Sequence, residues 1–240
     1  MLREFATAKG ITFALLADEG SRVITELGLL DRDLAEHHAS FGVPTKDNQY
    51  GVAYPAIFVV DESGRVVDKR IRENYRAREG AQKMLEEALG LTLPAGGPGE
   101  STSASHVTVS AVTDSDRYVR WQETRLHLVL DVGAGWHVYG RPIPDGYTPV
   151  TVEIATVPEV SVGAPEYPPS RAFRVEGLDE QFQVYDGRFD IQVPFAVNVP
   201  PDFGGIDVEL SVRYQACSQS ECLPPQALKL RLHLDGATPA

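Results

Sequence analysis

Ile206-Asp207-Val208-Glu209-Leu210-Ser211-Val212-Arg213-Tyr214-Gln215-Ala216-Cys217 alternates apolar and polar side chains residue by residue. A period of two puts Ile206, Val208, Leu210, Val212 and Tyr214 on one face and predicts a half-buried strand. The same rhythm occurs at Leu126, Leu128, Leu130 and Val132, at Phe189, Ile191, Val193 and Phe195, and at Leu228, Leu230, Leu232 and Leu234. Gly- and Pro-rich turns separate these runs, the pattern of an all-β sandwich.

Upstream the text changes character. TLPAGGPGESTSAS, Thr92 to Ser105, replaces apolar periodicity with Gly, Pro, Ser and Thr and reads as a flexible linker. Before it, Leu2 to Lys9 reads as a helix, Thr12 to Leu16 as a short strand, and Ser21 to Leu29 as a second helix. Ala56 to Val60 reads as a buried strand that turns at Asp61-Glu62-Ser63-Gly64 into another, Arg65 to Arg72. Ala77 to Leu89 reads as an amphipathic helix closing this part. His37 and His38 lie in a polar stretch and read as solvated. The expected organisation is a partial α/β domain over 1–91, a linker over 92–105 and a β-sandwich over 106–240.

The 240 residues carry a net charge of -12, which opposes nucleic acid and anionic membrane surfaces, since such partners are gripped by Lys and Arg. No apolar run approaches the roughly 18 to 20 residues that span a bilayer, and Met1-Leu2-Arg3-Glu4-Phe5 shows no signal-peptide core. Direct membrane insertion is not expected.

Chemistry concentrates at the two cysteines, Cys217 and Cys222, separated by Ser218-Gln219-Ser220-Glu221. A hairpin with a four-residue loop would set them opposite each other, at a cross-strand separation that a disulfide accepts. Parity through Gln215 places Cys217 on the polar face, outside the deep core. By spacing alone a structural disulfide ranks first, a redox couple second and a metal site a distant third. Two thiolates lack two further ligands, and the isolated His127, His137 and His233 do not form a ligand spacing. No metal or cofactor is expected.

A resemblance reorders these readings. Tyr214-Gln215-Ala216-Cys217 and Glu221-Cys222-Leu223-Pro224-Pro225-Gln226 resemble the active-site hairpin of the N-terminal domain of the membrane disulfide reductase DsbD, an immunoglobulin-like module. In family order upstream come Trp136-His137-Val138-Tyr139-Gly140, then Pro142, Ile143 and Pro144, Tyr167-Pro168-Pro169, Leu178-Asp179-Glu180-Gln181-Phe182 and Val184-Tyr185. The similarity covers about residues 106 to 234.

The resemblance implies that Cys222 forms the mixed disulfide with a partner and Cys217 resolves it. It implies a cap loop, matched by Asp179, Glu180 and Phe182, with Phe182 shielding the sulfurs, and sets Tyr139 beside the site. Without the resemblance, Asp179 and Glu180 read as a solvated acidic turn and Phe182 as a core residue. Two features depart from the family: four residues lie between the cysteines where some members have five, and His137 stands where others have tyrosine. The implied partners are thioredoxin-fold proteins, protein thiols and disulfides, and a membrane electron-transfer domain, in an extracytoplasmic compartment. The alternative is a non-catalytic sandwich that docks a partner while Cys217 and Cys222 form a static bridge.

In the first part, Gly51-Val52-Ala53-Tyr54-Pro55-Ala56-Ile57-Phe58-Val59-Val60-Asp61 and Gly64-Arg65-Val66 resemble the second half of a peroxiredoxin or thioredoxin-like domain, in which Pro55 would be the cis-proline. The strand and helix that carry that family's reactive cysteine would precede Met1, so this part reads either as truncated or as a degenerate domain that keeps its scaffold for binding, and half a sheet with an uncovered edge favours truncation. Residues 1 to 105 contain no cysteine, so this part is expected to be catalytically inactive.

Overall fold

The computed structural model describes residues 2–40, 42–46, 49, 51–73, 78–155, 159–174 and 181–237, without the side chains of residues 81 and 201. The chain divides into two units, residues 1–75 and 76–240. Among the described residues, no helix is long and apolar enough to cross a membrane.

The first unit holds helices α1 (Leu2–Ala8), α2 (Arg22–Glu26) and α3 (Leu34–Ser40) and the antiparallel strands β1 (Ala56–Val60) and β2 (Val66–Ile71). The connecting turn is built on Asp61, whose Oδ1 accepts hydrogen bonds from Ser63 N, Arg65 N and Ser63 Oγ. Those bonds, the Ser63 hydroxyl first, hold its carboxyl below the usual range. Gly64 takes the left-handed conformation the turn needs, at φ 80°.

Three expectations here differ from the structure. Thr12 to Leu16 is not a strand: Phe13 and Leu16 are 70% and 90% exposed, and no described strand lies alongside to pair with them. The stretch holding His37 and His38 is helical, and His37 Nδ1 lies 2.9 Å from Oδ2 of the buried Asp31, which raises the imidazole pKa. The expected cis-proline is also not found: the cis X-Pro bond among the described residues is Arg141–Pro142, and Tyr54–Pro55 is trans. Tyr54 N donates to Leu29 O at 2.8 Å and Pro55 O accepts from Arg72 N at 2.9 Å, so the chain runs directly into β1 with proline at its threshold.

The second unit opens with α4 (Ala81–Leu89), followed by β3 (Gly99–Ala104), β4 (Val107–Thr113), β5 (Arg117–Val119), β6 (Glu123–Val132), β7 (His137–Tyr139) and β8 (Thr151–Ile154). Then come β9 (Val160–Val162), β10 (Arg171–Arg174), β11 (Gln181–Tyr185), β12 (Gly187–Val197), β13 (Ile206–Tyr214), β14 (Ala216–Cys217) and β15 (Gln226–Ala237). One sheet runs β3-β4-β6-β12-β9 and a second β5-β15-β13-β8. Their apolar rows, among them Leu128 and Leu130, Ile191 and Val193, Leu210 and Val212, and Leu230 and Leu232, fill one core. The four alternating runs of the sequence thus supply β6, β12, β13 and β15, and the unit is the expected immunoglobulin-like sandwich. A third sheet, β10-β11-β7-β14, carries the cysteine hairpin.

The stretch read as a linker is partly sheet. Its Ser and Thr residues form edge strand β3, in which Ser101 Oγ lies 3.0 Å from Ser110 Oγ and Ser103 Oγ 2.8 Å from Thr108 Oγ1. Cross-strand hydroxyl pairs at a sheet edge have the composition of a loop. The closing helix begins at Ala81, after an extended segment in which Arg78 N donates to Trp121 O at 2.7 Å. A Cβ on Gly80 would lie 2.3 Å from the Glu123 carbonyl oxygen, so only glycine fits there. This helix groups with the sandwich: Glu86 pairs with Arg125 and Lys83 with Glu123.

Arg125 and His127 point away from the core, into a polar cluster. Arg125 Nε donates to Asp114 Oδ2 at 3.1 Å, while His127 Nε2 is 2.7 Å from Asp114 Oδ1 and Nδ1 is 3.5 Å from Asp190 Oδ2. Burial pushes the Asp114 pKa up, but hydrogen bonds from His127 and Arg125 outweigh it and the net shift is downward. Hydrogen bonds to Asp114 and Asp190 raise His127 from 6.5 to about 9. A raised folded-state pKa gives stability that is full below the unfolded value and is lost as pH rises through the folded one. In urea unfolding, wild type should exceed His127→Gln by up to about 3 kcal/mol at pH 6, and that margin should fall steadily between about pH 6.5 and 9 and be nearly gone above it.

Candidate functional site

The cysteine hairpin depends on an interruption. β13 ends at Tyr214, Gln215 belongs to neither strand, and the chain resumes as β14, paired not with β15 but with β7. Gln215 ties the step down on both sides: Oε1 accepts from Thr148 N at 3.1 Å and Nε2 donates to Leu223 O at 3.1 Å. The parity that carried Cys217 to the polar face does not survive the change of sheet. Cys217 is fully buried, together with Tyr139, Phe182 and Val184. This overturns the expectation that it lies outside the core.

Cys222, by contrast, is exposed. The two cysteines face each other across an antiparallel bridge and are joined as a disulfide, with Cα atoms 4.1 Å apart. Ser218 N donates to Glu221 O at 2.8 Å and Leu223 N to Ala216 O at 2.9 Å, so the bonds flank the cysteines and leave them a non-hydrogen-bonded pair, where strands approach most closely. Ser218 Oγ accepts from both Ser220 N and Glu221 N at 3.2 Å and shapes the loop.

β7 brings two ring side chains to the pair. His137 lies directly opposite Cys217, and Tyr139, two residues on and on the same face, has its hydroxyl 3.5 Å from Cys222 Sγ. Burial, with a smaller contribution from Tyr147, pushes the Tyr139 pKa up to about 12, so near neutral pH the phenol keeps its proton and can donate to sulfur. Gly140 follows because a Cβ there would lie 2.9 Å from the Tyr185 ring. His137 is also buried; desolvation, then the Arg171 guanidinium, lower its pKa against a weaker opposing pull from Asp186.

Phe182 is a strand residue in β11, fully buried, with its ring centroid 5.3 Å from Tyr139 and 5.0 Å from Tyr147. Asp179 and Glu180 lie outside the described residues. Pro55 belongs to the first unit. Tyr147, Phe173 and Gln215 are site residues that sequence reasoning missed. Gln215 was visible inside the quoted hairpin motif, whereas Tyr147 and Phe173 come from loop 140–149 and β10 with no local pattern to mark them.

The class is thus defined by an immunoglobulin-like sandwich whose end sheet carries an asymmetrically buried, disulfide-bonded cysteine pair. Residues 108–233 match the family described as thiol:disulfide interchange protein DsbD, N-terminal, and the chain belongs to that family. Residues 1–69 match the AhpC/TSA family. No curated protein gives a significant match. Among solved structures, the N-terminal periplasmic domain of ScsB from Proteus mirabilis is 18% identical, with a TM-score of 0.41, covering 56% of this chain and 49% of that one. The chain thus spans about half of that relative. The reduced DsbD N-terminal domain of Neisseria meningitidis is 16% identical, with a TM-score of 0.34, covering 46% and 78%.

The burial difference generates a direct test. After reduction, iodoacetamide should alkylate Cys222 at least about tenfold faster than Cys217, because reaction needs an accessible thiolate. Peptide mapping over time reads this, and equal rates would contradict the geometry.

Proposed function

We propose that residues 106 to 234 pass reducing equivalents by thiol-disulfide exchange through Cys217 and Cys222, between a thioredoxin-like or membrane donor and extracytoplasmic protein thiols. The observation that carries this reading is the pairing of an exposed cysteine residue with a fully buried one. When the pair is reduced, the Cys222 thiolate attacks a partner disulfide, forming a Cys222-partner bond and releasing the partner's other sulfur as a thiolate. The Cys217 thiolate then attacks Cys222 Sγ, closing the internal disulfide and freeing the partner's second sulfur. Two electrons pass to the partner, and Cys217 and Cys222 give up the two protons that its sulfurs take up.

Run backwards, a donor thiolate attacks the exposed Cys222 sulfur and Cys217 departs. Tyr139 supports either direction by offering its hydroxyl proton to Cys222 Sγ. Partner potentials set the direction. Phe182, with Asp179 and Glu180 before it, is assigned to the cap that limits access to the sulfurs. The first part, with no cysteine in residues 1 to 105, contributes no thiol or peroxide chemistry. Membership of the family supports an extracytoplasmic setting and thioredoxin-fold partners.

Complete burial of Cys217 would also suit a static bridge in a binding module, but a static bridge has no use for an exposed partner sulfur. Reduced Cys217→Ser, incubated with an oxidised thioredoxin-fold protein, should accumulate a mixed disulfide on non-reducing gels, while Cys222→Ser should not. Complexes with Cys222→Ser alone would reverse the roles, and none with either variant would leave the static bridge.

A further inference from the structure

One buried polar atom at the site has no use in the exchange just described. His137 is 4% exposed, and its Nε2 has no hydrogen-bond partner among the described residues. Most buried polar atoms are satisfied, so an orphan beside a reactive pair asks for an occupant. The ring is held by Phe173, with centroids 4.4 Å apart, and by Tyr139 at 5.4 Å. Across the ladder, the residue facing it is Cys217.

We propose that Nε2 of His137 is the hydrogen-bond partner reserved for the Cys217 sulfur of the reduced protein, so that His137 sets how readily the pair is reduced. Directly opposed residues have Cβ atoms about 5 Å apart. In the disulfide, Cys217 Sγ is bound to Cys222 and fixed in one rotamer. When the sulfur-sulfur bond breaks, the electron pair goes to Cys217 Sγ, and its χ1 is free to choose another staggered well facing the imidazole. A neutral imidazole can serve either product through its tautomers: with the proton on Nε2 it donates N–H to the thiolate, and with the proton on Nδ1 its Nε2 lone pair accepts S–H from the thiol.

The surroundings keep the ring neutral. Desolvation and Arg171 in β10 oppose its charge, Asp186 favours it less strongly, and Tyr139, the other titratable group on β7, stays protonated. Arg171 is itself paired with Asp186. The orphan therefore exists in the disulfide form and is satisfied in the dithiol form, which favours reduction. This rests on the pair cycling between the two forms, as proposed above.

The test is the redox equilibrium of the full chain against dithiothreitol buffers. His137→Phe fills the same space against Phe173 without a polar atom, and its equilibrium should shift roughly tenfold toward the disulfide, a potential lower by about 30 mV for this two-electron couple. His137→Gln, which keeps an N–H donor, should recover part of the shift. The 15N resonance of His137 Nε2 in the wild-type protein should move on reduction, and this decides the matter if a variant does not fold. Equilibria within twofold of wild type, or an unmoved Nε2 resonance, would overturn the proposal. Exchange with a thioredoxin-fold partner at an unchanged His137→Phe potential would sink this inference and leave the exchange reading standing. A shifted potential without any partner exchange would do the reverse.

Discussion

The side-chain amide of Gln215 holds the point where the chain leaves one sheet and enters another, and the chemistry of the end sheet follows from that step. Up to Tyr214 the backbone belongs to the sandwich, bonded to β15 on one side and β8 on the other. Two residues later, at Ala216, it is paired with β7. Were β13 simply prolonged, Cys217 would face outward like Arg213, and neither Tyr139 nor His137 could meet a sulfur. The two hydrogen bonds of Gln215, to the 148 backbone and to Leu223, fasten the transfer at a partly buried position, where an unmade bond is costly.

That arrangement separates what must be stable from what must react. The sandwich core runs through long antiparallel registers, ten pairs between β6 and β12 and nine between β13 and β15. β7 and β14 share only two, so the reactive hairpin hangs on short pairings, aromatic contacts and the disulfide itself. Local opening free energies follow local burial and bonding, and short-paired elements lie at the low end. Reduction of the pair would remove one of those ties.

Much of the sandwich was legible because burial on one face writes a period of two into the sequence, and Leu126 to Val132 or Leu228 to Leu234 can be read only as strands. The end sheet was less legible for the same reason: β7 and β14 are too short to display a period, and all three residues of β7 are buried. Parity failed at Cys217 because it assumes an unbroken strand. Composition failed at 99–104 because serine hydroxyls paired across an edge look like a linker. In the first unit, Thr12 to Leu16 has strand-like residues, but a strand needs a neighbour, and sequence pattern cannot supply one. The cysteines themselves were conspicuous, being the only two in the chain.

The placement of Tyr139 and His137 on one face of a three-residue strand assigns them to different sulfurs. Tyr139 reaches Cys222, an exposed residue that water can also approach. His137 faces Cys217, which is buried and has no such recourse. A thiolate released into an apolar setting is the costly species in this exchange, since burial penalises the charged form. The need for a polar neighbour is therefore greatest at Cys217, and the residue opposite it carries a buried nitrogen without a hydrogen-bond partner among the described residues. A tyrosine at 137 would bring a hydroxyl on a longer lever; the shorter imidazole keeps its polar atom nearer the strand that faces Cys217.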